Sequence, residues 1–134
     1  MYFNKLTFLL SIIAASFSFQ LSAEEFDEQG YSLRYKQCMD NSGGVTSDML
    51  ACMEEELKVQ DKLLNAQYKL AMQSLDKEQQ KLLKEGQRSW LNMRENDSQL
   101  IIKSSDGSLG HIDSSSLFLD YTVSRVQFLK RFNP

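Results

Sequence analysis

Two groups of side chains have the residue types of catalytic centres. The acidic run Glu54–Glu56 offers pairs of carboxyl groups of the kind that glycosidases use. His111, the only histidine, lies close to Asp113 and Ser114, which together supply the three residue types of a nucleophilic triad. However, adjacent acids at a helix start usually form a solvated face, and a flexible loop holds catalytic geometry poorly. The sequence therefore favours a protein that is not an enzyme.

A third group consists of polar and aromatic residues that recur at helical spacing in two sets: Asp61, Asn65 and Tyr68, then Gln87, Trp90 and Arg94. Positions i, i+4 and i+7 share one edge of a helix. An antiparallel hairpin with its corner at Leu75–Asp76 would bring Asp61 opposite Arg94 as a partly buried pair. The six side chains could form a binding patch. We favour a polar clasp that locks the hairpin, with Trp90 filling the core and the Tyr68 hydroxyl hydrogen-bonded, because these residues flank the apolar stripe.

The segment Cys52–Arg94 must position these residues, and its pattern predicts two long helices. It contains one glycine and no proline, and apolar residues recur every three or four positions. Thr46, Ser47 and Asp48 are all competent N-caps for the first helix, which would run to about Ser74. Asp76 and Gln79 have the spacing of a capping box that starts the next helix. Gly86 lies in the apolar stripe of that helix, where we expect it to permit close approach of the facing helix.

Shorter elements complete an all-α fold. Residues 24–30 have no sustained period and predict a loose N-terminus. Residues 31–41 predict a short helix that Gly43 and Gly44 terminate. The polar stretch 103–116, rich in Gly and Ser, predicts a loop, and a final helix would begin within residues 113–116. Asp106, His111 and Asp113 on this loop could offer acceptors to a cationic cleft in a protein partner. The alternative is a solvated connector.

The N-terminus has the features of a secretory signal peptide over residues 1–23. Lys5 precedes an apolar run from Leu6 to Phe19, and Ala23 offers a small residue at the cleavage position. A membrane anchor is the alternative, but the run is shorter than the ~18 residues of a typical span. The mature chain would be one domain, residues 24–134, in the periplasm or secreted, with no membrane attachment after cleavage.

Charge and cysteine content limit the possible partners. The net charge of −3 opposes binding to nucleic acid or to an anionic membrane and suits a cationic partner. Cys38 and Cys52 are the only cysteines. Export favours a disulfide between them, worth about 3 kcal/mol in the chain-entropy model. A single cysteine pair and one distant histidine lack the ligands of a structural zinc site, so we expect no metal and no cofactor.

The spacing of these residues resembles the lysozyme inhibitor LprI-type N-terminal domain, a family of small exported bacterial proteins. The resemblance covers roughly Cys38 to Arg125. It rests on this pattern: Cys52-x3-Glu56-x4-Asp61-x2-Leu64-Asn65-x2-Tyr68, then Gln87-x2-Trp90-x3-Arg94, with Cys38 and Thr46 upstream. It implies an all-helical, disulfide-stapled envelope protein and, for some members, inhibition of lysozyme.

The chain departs from the family pattern at a second disulfide. The family commonly has cysteines at the positions of Ser98 and about Leu117. Loss of both partners is expected if that bridge is structural. The resemblance implies a protein-binding module that inhibits lysozyme or a related cell-wall hydrolase. A structural or interaction protein of the envelope, or an immunity protein against a secreted toxin, is the alternative, because each needs the same kind of scaffold.

Overall fold

The computed structural model describes residues 24–105 and 107–133 and confirms the all-α fold. Its four helices are α1 (Leu33–Asn41), α2 (Thr46–Ser74), α3 (Lys77–Ser104) and α4 (Gly107–Lys130). At 1.5 Å per residue, α2 and α3 are each about 40 Å long. They form the predicted antiparallel hairpin. The predicted signal peptide lies outside the described residues. No described helix is long and apolar enough to cross a membrane.

The short helix α1 is fastened to the start of α2 by the predicted disulfide. Cys38 and Cys52 are bonded, with their Cα atoms 5.7 Å apart. Between the two helices the chain reverses at Gly43 and Gly44, whose φ angles are +57° and +82°. Residues with a Cβ rarely adopt such values, so these glycines end α1 as the sequence predicts. The staple and the turn together fix where α2 begins.

Local signals predict one helix start correctly and another wrongly. Asp76 accepts a hydrogen bond from the Gln79 backbone, and the Gln79 side chain accepts one from the Asp76 backbone, so the predicted capping box starts α3. At α2 the N-cap is Val45, and no side chain caps the helix. The prediction of a Thr46, Ser47 or Asp48 cap is therefore wrong. The adjacent disulfide and Gly-Gly turn fix this start without a side-chain cap.

The predicted loop 103–116 is also wrong, because α3 continues to Ser104 and α4 begins at Gly107. His111 and Asp113 are exposed residues of α4, and Asp106 lies outside the described residues. Two of the small residues in this stretch, Gly110 and Ser114, make close contacts. A Cβ on Gly110 would lie 2.9 Å from the Ser105 Cβ, and the buried Ser114 hydroxyl donates to the Ser98 carbonyl at 2.9 Å.

Helix α4 is the centre of the bundle. It packs along both α2 and α3, which make little direct backbone contact with each other. Its fully buried residues include Leu119, Val126 and Leu129. Val126 and Leu129 join residues of α2 and α3 in one core cluster, and Leu119 joins Met53 in the other. Because α4 packs against both α2 and α3, these two helices stay apart. A groove therefore runs between α2 and α3.

The segment before α1 is ordered, contrary to the predicted loose N-terminus. The Asp27 carboxylate accepts hydrogen bonds from three successive backbone N–H groups, of residues 29–31. The Tyr31 hydroxyl donates to Asp120 on α4 at 2.5 Å. Gly30 has a φ of +102°, and a Cβ there would collide with the Gln127 side chain. These contacts hold residues 27–31 against the bundle.

Candidate functional site

We use the term motif for Glu56 and the six residues of the two helically spaced sets. Five of these seven residues line the groove between α2 and α3. The residues that line the groove recur every three or four positions on both walls. They extend from Leu50 to Tyr68 on α2 and from Lys84 to Gln99 on α3. The motif residues that line it are Asp61, Asn65, Tyr68, Gln87 and Arg94. Two clefts follow each other along the groove, of about 390 and 570 Å³. The hairpin therefore brings most of the motif to one surface, as its spacing predicts.

Arg94 bridges the groove where the two clefts meet. Its Nη1 lies 3.7 Å from the Asp61 carboxylate on the opposite wall and donates to the Thr122 hydroxyl of α4 at 2.8 Å. Its guanidinium lies 3.9 Å from the centre of the Phe118 ring and 4.6 Å from that of Trp90. Only 12% of the side chain is exposed. The predicted Asp61–Arg94 pair is thus present, with two aromatic rings and a hydroxyl as further partners.

Burial affects the charge of Arg94 in a definite direction. Desolvation lowers the pKa of Arg94 below its ordinary value, and the charge of Asp61 opposes this shift. Arginine remains protonated throughout the physiological range, so the cation persists. The Nε atom is buried without a hydrogen-bond partner among the described residues. The contacts with Asp61 and the two rings offset part of the cost of burying this cation.

The two clefts differ in charge. The cleft nearer the disulfide has Glu54 and Glu95 on opposite walls above apolar residues that include Leu57 and Phe118. The cleft nearer the corner has Lys84 and Arg88 on its α3 wall. The Asp61–Arg94 pair separates the acidic half of the groove from the basic half. An extended segment with charges of opposite sign at its two ends would complement both halves.

Three of the remaining motif residues make structural contacts beside the groove. The Gln87 side chain accepts a hydrogen bond from the Arg125 Nε at 2.8 Å. Trp90 and Tyr68 pack against the core cluster, as expected for a core plug, but the Tyr68 hydroxyl has no partner among the described residues. The predicted Tyr68 hydrogen bond therefore remains a prediction. Asn65 is exposed at the groove wall.

Glu56 lies on a different face of α2, away from the groove. It is 2% exposed and accepts hydrogen bonds from the Ser32 backbone N–H at 2.9 Å and the Ser32 hydroxyl at 2.5 Å. The buried Gln60 side chain donates to the same carboxylate at 2.7 Å and to the Gly30 carbonyl at 2.8 Å. Because Ser32 caps α1, Glu56 fastens the start of α1 to the middle of α2.

The catalytic arrangements that the residue types suggest are not formed. Glu54 and Glu55 are exposed and pair with Lys58, whereas Glu56 points to the opposite side. The Ser114 hydroxyl is buried and bonded to a carbonyl, whereas His111 is exposed one turn earlier in α4. No group of three metal-ligating side chains occurs in the described ranges. These residues therefore do not form the suggested reaction centres.

Sequence reasoning also misses part of the site and misassigns a glycine. Phe118 and Thr122 complete the environment of Arg94, and only their helical spacing from Arg125 on α4 could have indicated them. Gly86 is exposed, and the nearest atom to a Cβ there would be the Arg125 Nη2 at 3.8 Å. The expected close helix approach at Gly86 is therefore wrong. Gly110 is the glycine with a close contact in this region, to Ser105 in the connection between α3 and α4.

Comparison with known families gives a match over most of the chain. A model of the family described as lysozyme inhibitor LprI matches residues 38–129. The chain belongs to the LprI family. The match includes the disulfide, both walls of the groove and nearly all of α4. No curated protein and no solved structure gives a significant match.

The two positions at which the family resemblance implies a second disulfide lie in helices. Ser98 is 5% exposed on α3, and Ser114, which bonds to its carbonyl, lies three residues before Leu117 on α4. Leu117 is half-buried. A buried hydrogen bond between two serine residues therefore joins α3 and α4 near these positions.

Proposed function

We propose that this protein is an exported protein-binding module that inhibits a lysozyme or a related cell-wall hydrolase. Its membership of the LprI family is the observation that carries the proposal. Such an inhibitor needs no chemistry of its own, because it acts by covering the cleft of the enzyme. What it needs is a rigid surface, and a preorganised surface loses less conformational entropy on binding.

The groove between α2 and α3 is the surface that we assign to the hydrolase. Three features support its rigidity: the disulfide at one end, the capping box at the other, and the Asp61–Arg94 bridge between them. Leu91, on the α3 wall, is 41% exposed and offers apolar contact area. The acidic half suits basic side chains of the enzyme, and the basic half suits acidic ones.

The assignment is tested by blocking the groove without disturbing the core. Leu91→Arg places a long charged side chain on the groove wall, and we expect it to weaken inhibition at least about tenfold, or 1.4 kcal/mol. Leu70→Arg is the matched control, because Leu70 has similar exposure at 43% but does not line the groove. Inhibition is measured as slower loss of turbidity of a cell-wall suspension. Equal inhibition by both variants would refute the assignment.

Export is a separate part of the proposal. Cleavage after Ala23 would leave Glu24 as the first residue of the mature protein. Expression of the full sequence in a bacterium, followed by fractionation and N-terminal sequencing, tests it. We expect the envelope fraction or the medium to contain a chain that begins at Glu24. An uncleaved chain in the membrane fraction would instead support the anchor.

A further inference from the structure

A cavity that is separate from the two clefts of the groove lies on another side of α3. It lies between the start of α3 and the end of α4. Its volume is about 300 Å³, and most of its wall is apolar, formed by residues that include Leu75, Leu82, Leu83, Phe128 and Phe132. Leu82 is 63% exposed, and Phe128 and Phe132 are also exposed. The volume is at the lower end of the range for small-molecule sites in proteins.

Arg125 gives this cavity a specific chemistry. It lines the wall, its guanidinium lies 4.7 Å from the centre of the Phe128 ring, and its Nε donates to Gln87. No acidic side chain of the described residues lies within 4.0 Å of it, in contrast to Arg94, which pairs with Asp61. A partly desolvated cation without a counter-ion is costly, and an anion that binds at its free nitrogens would offset that cost.

We propose that the cavity binds an amphipathic carboxylate of the fatty-acid class. The planar guanidinium presents paired N–H donors whose geometry matches a carboxylate. The Nε is occupied by Gln87, which leaves the two Nη atoms to receive the ligand. The alkyl chain would then run over the leucine and phenylalanine side chains. This site is distinct from the groove, so it does not depend on the proposed inhibition of a hydrolase.

The only tryptophan of the chain offers a direct readout. Trp90 lies with its ring centre 5.8 Å from the Arg125 guanidinium carbon. The probe is decanoate, titrated into the mature protein below the concentration at which it forms micelles, with decan-1-ol as the neutral probe of the same chain length. We expect decanoate to change the Trp90 fluorescence saturably and to bind at least about tenfold more tightly than decanol. Equal affinities would overturn the proposal.

Two variants test the contribution of the cavity and that of the Arg125 charge separately. Gly86→Leu places a side chain into the cavity where a Cβ meets only the Arg125 Nη2, at 3.8 Å, and it also removes a helix-interior glycine. We expect it to fold with at least the thermal stability of the wild type and to lose decanoate binding. Arg125→Met should reduce decanoate affinity to that of decanol. The control Arg34→Met removes an arginine that is 66% exposed on α1 and should bind decanoate normally. Unchanged binding by folded Gly86→Leu would refute the site.

Discussion

The buried carboxylate of Glu56 allows a sharp test of how the N-terminal segment is held. Replacement by Ala removes the acceptor of three hydrogen bonds, two from Ser32 and one from Gln60. The Gln60 amide keeps its bond to the Gly30 carbonyl, and the Ser32 hydroxyl still accepts from the Tyr35 backbone. The Ser32 N–H keeps no other partner. An unsatisfied buried donor costs about 1–3 kcal/mol, and bonds to a charged acceptor are stronger than neutral ones.

We therefore expect Glu56→Ala to lower the free energy of unfolding by about 3 kcal/mol, a large part of the 5–15 kcal/mol typical of a domain. Glu54→Ala is the matched control, because it removes the same group two residues earlier from an exposed position beside Lys58. It should cost less than about 0.5 kcal/mol. Urea unfolding followed by circular dichroism measures both values.

Hydrogen exchange gives the location of the effect. Glu56→Ala should raise amide exchange most in residues 30–41, because Glu56 joins α1 and its N-cap to α2. Equal destabilisation by the two variants would show that Glu56 does not fasten this segment. Uniform exchange over all four helices would contradict the same reasoning.

Three further changes have defined outcomes. Cys52→Ser should lower stability in oxidising buffer by about 3 kcal/mol, whereas both proteins should melt alike under reductant; equal melting without reductant would contradict the stapling role of the disulfide. Burial and the hydrogen bond to Asp120 raise the pKa of Tyr31, so the folded state retains this proton more tightly than the unfolded chain. Stability should fall as the pH rises above about 10, and Tyr31→Phe should show a shallower fall; parallel pH profiles would contradict this. Gly110→Ala should destabilise the bundle because the new Cβ meets Ser105. Gly86→Ala should stabilise the bundle by about 1 kcal/mol, because a helix-interior glycine is replaced. Thermal melts in which Gly110→Ala is the more stable variant would contradict this.

The features that the sequence predicts correctly have local signals. The capping box at Asp76 needs only residues three positions apart, and the hairpin follows from a long helical period on each side of it. The Cys38–Cys52 bridge follows from the presence of only two cysteines in a chain with a predicted export signal. The opposition of Asp61 and Arg94 is a geometric consequence of the hairpin, so this part of the groove was also predictable.

The features that the sequence does not predict depend on tertiary contacts. The start of α4 has the composition of a loop, but Gly110 and Ser114 are small because α4 packs closely against the end of α3 and the residues that follow it. Helix propensity is a weak guide where packing decides. Residues 27–31 have no helical period, and hydrogen bonds from backbone N–H groups to the Asp27 carboxylate and contacts with α4 order them.

The groove itself depends on the position of α4, which no local pattern determines. Because α4 packs against both long helices, α2 and α3 stay apart, and the motif lines an open surface. Of the two alternatives from the sequence, the Asp61–Arg94 bridge across the helices fits the polar clasp. Asn65 is exposed at the same groove, and the binding patch is part of the proposed function.

The most direct test of the proposed function is a titration of the mature protein, residues 24–134, against a panel of lysozymes by calorimetry, with lysis followed by turbidity in the same mixtures. We expect saturable binding to at least one enzyme and complete inhibition near a stoichiometric ratio. Leu91→Arg should weaken both signals in parallel, and Leu70→Arg should preserve them. Absence of binding and of inhibition across the panel would contradict the proposed function.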